Sequence, residues 1–116
     1  MNTLNQSLLA LNKIYTAIYN KGVAVGNQTL TVDALKSLTI PSNQEVNYCK
    51  IYVGTANISY WVDGSTPTAS QGLVAAANNT IEIFGTQNIR NFKCIPVLST
   101  ATIQVQYYNI DIPKNS

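Results

Sequence analysis

Between Tyr48 and Tyr108 apolar and polar residues alternate in short runs, and this period of two constrains the fold more than any other feature of the chain. Val46-Asn47-Tyr48-Cys49-Lys50-Ile51-Tyr52-Val53 reads as one strand punctuated by Gly54, and Asn57-Ile58-Ser59-Tyr60-Trp61-Val62 as the next. The short Gly54-Thr55-Ala56 link is therefore expected to be a hairpin turn. A turn-rich loop runs from Asp63 to Gly72, after which Thr80-Ile81-Glu82-Ile83-Phe84 forms a strand ending at Gly85. Residues 88–97 and 101–110 read as a last pair turned at Leu98-Ser99-Thr100, and Pro96 requires its strand to be an edge or bulged there. Upstream, Leu30, Val32 and the Leu35-Leu38-Ile40 group lead to Pro41, which closes the first β section. About seven short strands with regular turns predict a mainly-β chain, an antiparallel β-sandwich of jelly-roll-like form.

The period changes before Gly22. Met1, Leu4, Leu8, Leu11, Tyr15 and Ile18 recur at alternating spacings of three and four, the seam of an amphipathic helix closed by Asn20-Lys21-Gly22. The domain organisation expected is a helix over 1–22 followed by a β-sandwich over 23–116, with the junction near Gly22 to Gly26. An isolated helix of this length is marginal in water, so its seam must be covered. The covering surface is either its own sandwich or further copies of the chain. Leu9, Ile14 and Ala17 widen the stripe, and Tyr15 is bulky for a tight dimer, so a homotrimer is the favoured assembly.

The 116 residues suit one domain with a single core. Only 10% are charged, against about 25% in ordinary soluble proteins, and Asn, Gln, Thr and Ser supply the polarity. Neutral amides and hydroxyls cost less to bury than ions, which suits an outside that becomes an interface; an AT-rich genome accounts for the same composition. The net charge of +2 comes without a basic cluster, so no nucleic-acid partner is expected. No apolar run reaches the ~20 residues that span a bilayer, and the N-terminus lacks the pattern of a secretory signal, so no membrane partner is expected either. Cys49 and Cys94 lie in expected strands and read as small buried hydrophobes, reduced as made, with a disulfide between neighbouring strands as the alternative.

Chemistry needs a titratable or nucleophilic constellation, and none assembles here. There is no histidine, and the acids are few. Asp63 precedes Gly64, where its side chain suits a local backbone bond, and Glu82 alternates outward between Ile81 and Ile83. With Asp111 they make no convincing acid pair. Asp63, Ser65 and Thr66 supply too few oxygens for a dedicated calcium cage. The expectation is no catalytic residue, no metal and no cofactor. Two adjacent aromatic pairs, Tyr60-Trp61 and Tyr107-Tyr108, each place one ring inward and one outward. An outward ring serves ordinary strand packing, a protein contact or a sugar platform.

The run Ile58-Ser59-Tyr60-Trp61-Val62-Asp63-Gly64-Ser65-Thr66-Pro67-Thr68-Ala69-Ser70-Gln71-Gly72 resembles a pattern in small virion proteins of tailed bacteriophages: a strand ending in Asp-Gly, a Pro-Thr loop with a later Gly, then an apolar segment and an Ile-rich strand. Leu73-Val74-Ala75 and Ile81-Glu82-Ile83-Phe84 supply the later parts, and the closing segments 89–96 and 101–107 are similar too. The resemblance covers roughly residues 28–108, and the N-terminal helix departs from it. It implies a non-enzymatic virion protein, made in the host cytoplasm. An accessory capsid protein (decoration, cement or head fibre) contacting a major capsid protein comes first. A tail, tail-fibre or head–tail connector subunit is the alternative, and a carbohydrate-binding module using Tyr60, Trp61, Tyr107 or Tyr108 is the third.

Overall fold

Alternation along Tyr48-Cys49-Lys50-Ile51-Tyr52-Val53 sends Cys49, Ile51 and Val53 into one apolar layer and Lys50 and Tyr52 to the opposite side, the pattern of a sheet with one face on a core. The computed structural model describes residues 22–110. Within them are eight strands: β1 (Val23–Val32), β2 (Lys36–Ser37), β3 (Tyr48–Gly54), β4 (Ile58–Trp61), β5 (Leu73–Ala75), β6 (Thr80–Phe84), β7 (Lys93–Pro96) and β8 (Ala101–Asn109). They form two four-stranded antiparallel sheets packed as a sandwich, ordered β1-β8-β3-β6 and β2-β7-β4-β5. The predicted helix, its seam and Asp111 lie outside the described residues.

The pairings nest. Strand β4 pairs with β5, β3 with β6, β2 with β7 and β1 with β8, as though one long hairpin had been folded over on itself. The β3–β8 and β4–β7 ladders then join these pairs into the two sheets. Val32, Ile51, Val53, Ile58, Ala101, Ile103 and Tyr107 fill the space between the sheets. One buried Leu-sized side chain contributes about 1.5–3 kcal/mol, so this layer is the main source of stability.

Two expected hairpins are crossovers instead. Strands β3 and β4 belong to different sheets, so Gly54-Thr55-Ala56 carries the chain from one layer to the other. Strands β7 and β8 are likewise in opposite sheets, so Leu98-Ser99-Thr100 is a second corner. A three-residue link is long enough for either geometry, and the difference is set by long-range pairing. At the first corner Thr55 adopts a positive φ of 65° and the Ala56 amide donates to the Gly54 carbonyl at 2.8 Å.

Residues 88–92 are not strand. The chain forms a short helix, α1 (Thr86–Arg90), before β7 begins at Lys93. Ile89 and Phe92 are three apart and both fully buried, a helical spacing rather than the period of two of a strand. Pro96 is accommodated because β2 pairs with β7 only at Lys93 and Cys94, leaving Pro96 to pair with β4 alone.

Candidate functional site

The two outer faces of the sandwich differ in what they carry. On the β1-β8-β3-β6 sheet, the register aligns outward residues in rows that cross the strands. The first row runs Ala24, Tyr108, Tyr48, Phe84. Here the Tyr48 ring lies between its neighbours, with centroids 4.8 Å from Phe84 and 5.3 Å from Tyr108. The second row runs Asn27, Gln106, Lys50, Glu82, and the third Thr29, Gln104, Tyr52, Thr80. Asn27, Gln106 and Lys50 of the second row and all four residues of the third line a concave groove of about 400 Å³, with Glu82 outside its lining.

Several side chains in this face are held in place. The Gln106 Nε2 donates to the Gly26 carbonyl at 2.9 Å. The Tyr52 hydroxyl donates to Asn78 Oδ1 at 2.9 Å, and the ring reaches over Gly54, where an added Cβ would come within 3.4 Å of Tyr52 Cε2. The Tyr48 hydroxyl donates to Glu82 Oε2. Lys50 and Glu82 sit opposite each other in register, yet the ion pair found among the described residues is Lys36–Asp33, an exposed contact at 3.4 Å.

On the other sheet, the loop after β4 is tightly built. The Asp63 carboxylate accepts the Ser65 amide at 3.0 Å, which holds the acid below its ordinary pKa by stabilising the charged form. Thr68 and Gln71 close a turn through paired backbone bonds of 2.8 and 3.2 Å, and Pro67 is buried. Gly72 then lies directly against Ser59 on β4. Strand β5, which follows, is the edge of its sheet, with Leu73 50% and Val74 59% exposed. No residue from Gly64 to Ile81 is charged.

The expected aromatics separate. Tyr107 lies in the core with its hydroxyl donating to Gln28 Oε1 at 2.9 Å, so its ring faces no solvent. Tyr108 is half-buried in the Tyr48 row. Tyr60 is half-buried and stacks on Phe92 at 5.5 Å beside the core, while Trp61, one residue on, is half-buried on the outer face of its sheet. These four rings form no common platform. The rings that do reach solvent at the first sheet are Tyr52 and Phe84, which the adjacent-pair pattern does not single out.

Cys49 and Cys94 are buried and unbonded, one in each sheet. Burial pushes each thiol up to about 12; a backbone hydrogen bond at Ile83 for Cys49, and the Lys36 charge for Cys94, partly offset this. Thiols held this far from thiolate are poor nucleophiles. Among the described residues no three His, Cys, Asp or Glu side chains gather where they could hold a metal ion, and no helix is long and apolar enough to cross a membrane. Comparison with known proteins finds no matching family model, curated protein or solved structure.

Proposed function

We propose that the chain is an accessory structural protein of a tailed-phage virion, a jelly-roll subunit that works by burying area against neighbouring virion proteins, a major capsid protein first among them. The observation that carries this is the open edge at β5. Natural sheets blunt their edges with charge, proline or a covering segment, because unpaired backbone groups template further pairing. Here the edge carries exposed Leu73 and Val74 in a stretch without charge from Gly64 to Ile81. Such an edge needs a partner, and a contact of roughly 800 Å² on each side suffices for a specific one.

The nested pairing of β1 with β8, β2 with β7, β3 with β6 and β4 with β5 supports reading the sandwich as a jelly roll, an architecture used in viral shells. The loop pattern from Ile58 to Gly72 supports the same placement. In this proposal the seam of Met1, Leu4, Leu8, Leu11, Tyr15 and Ile18 gathers three copies, and repetition on a lattice multiplies weak contacts into avidity.

The test is incorporation. A chain carrying Leu73→Asp and Val74→Lys should keep its β-rich circular dichroism and be lost from purified particles. Wild-type incorporation of the folded double variant would refute the edge as the contact. For the seam, Leu8→Asp with Leu11→Asp should convert a trimer to a monomer by light scattering, and an unaltered wild-type monomer at high concentration would rule the seam out.

A further inference from the structure

We infer that the groove on the outer face of the β1-β8-β3-β6 sheet is a glycan-binding site, with preference for a saccharide that bears a carboxylate. It stands on a different sheet from the β5 edge and does not depend on the assembly proposal. The chemistry of the lining sets the ligand class. Asn27, Gln104 and Gln106 present amides, each with an acceptor oxygen and donor hydrogens, and Thr29 and Thr80 present hydroxyls. Apart from the Gln106 bond to Gly26, these side chains carry no hydrogen bond among the described residues. Sugar hydroxyls are donors and acceptors at once, and neutral amides match them without the desolvation cost of ions.

Tyr52 adds the apolar element. It is 40% exposed in the groove lining, and its hydroxyl bond to Asn78 fixes where the ring lies. A ring held in place gives a C–H-rich sugar face something to stack on with little entropy to lose. Gly54, two residues along the same face, leaves the ring edge free: a Cβ there would touch Tyr52 Cε2 at 3.4 Å and press on Thr102 Oγ1 at 3.0 Å. Lys50 supplies the single positive charge, with no carboxylate paired to it among the described residues. A uronic or sialic acid carboxylate would complete that charge.

Other ligand classes fit less well. A peptide strand adds to a sheet through unpaired backbone at an edge, whereas this groove lies on the outer face across all four strands, of which β8 and β3 are paired on both sides. Nucleic acid binding depends on several phosphate contacts, and one lysine is too few.

The experiment is an NMR titration of the ¹⁵N-labelled full chain with trigalacturonate, sialyllactose and lactose. At least one acidic probe should shift the side-chain amides of Asn27, Gln104 and Gln106 at millimolar concentration, with lactose weaker. Tyr52→Ala should lower affinity by roughly tenfold, and Gln104→Ala should weaken binding without touching the aromatic. Lys50→Gln should abolish the preference of the acidic probe that binds over lactose. Dispersed spectra of each variant establish that the fold survives. Absence of shifts with both acidic probes, shifts confined to Tyr60 and Trp61, or undiminished binding by folded Tyr52→Ala would each overturn the assignment. Binding of lactose by the wild-type chain as tight as that of both acidic probes would overturn the role given to Lys50.

Discussion

Gly72 lies so close to Ser59 that a Cβ on the glycine would collide with the serine Oγ. The same Cβ would come within 3.3 Å of both Pro67 Cβ and the Tyr60 amide nitrogen. Gly72 also has a φ of 151°, which side chains rarely adopt. This contact is where the loop after β4 is fastened onto the sheet it came from. Gly72→Ala is expected to cost about 2–4 kcal/mol, combining overpacking with backbone strain. Ser59→Ala in the same chain should recover part of the loss, because the hydroxyl is the nearest obstacle. Urea denaturation measures both, and an unchanged midpoint for Gly72→Ala would contradict the packing described.

The two thiols make a prediction at alkaline pH. An unfolded cysteine ionises near the ordinary value of 9.0, while folded Cys49 and Cys94 stay protonated to about 12. Between those values the folded state holds more protons than the unfolded one, so stability falls as pH rises. The expected slope is ~1.4 kcal/mol per pH unit for each thiol. The contribution is fully present below pH 9. Tyr107, whose pKa burial also raises, acts in the same direction at higher pH. Cys49→Ala with Cys94→Ala should flatten this decline even if it lowers stability at neutral pH. Native protein should also resist a thiol reagent at pH 8 and react at both cysteines once unfolded.

Asn47 serves as a clamp on the end of β8. Its side chain donates to the Ile110 carbonyl at 2.9 Å and accepts the Ile110 amide at 2.8 Å, imitating a ladder step beyond the strand itself. Asn47→Ala would leave both backbone groups without this partner. A loss of about 1–3 kcal/mol is expected, with faster hydrogen exchange at the Ile110 amide. Unchanged exchange there would mean that the clamp contributes nothing.

Much of the sandwich is readable in the chain because burial on one face leaves a period-two trace. Strands β3, β6 and β8 announce themselves through Cys49-Ile51-Val53, Ile81-Ile83 and Ala101-Ile103-Val105. Pairing is less readable. Gly54-Thr55-Ala56 and Leu98-Ser99-Thr100 have the length of hairpin turns, and only the competition among distant strands makes them corners. Helix α1 is short, so Ile89 and Phe92 give a single helical interval with no second turn to repeat it. The groove escapes a linear reading for a related reason. Asn27, Lys50, Thr80 and Gln104 come from four strands and become neighbours only through register, while attention to adjacent aromatics favours Tyr107, which the core absorbs, over Tyr52, which reaches solvent.

Cryo-electron microscopy of purified phage particles from a lysate that expresses the chain decides whether it is a virion protein. Repeated density for the eight-stranded sandwich is expected on the particle, with the β5 edge, at Leu73 and Val74, buried against a neighbouring virion protein. Particles that are complete and infectious without the chain in their protein composition would contradict it.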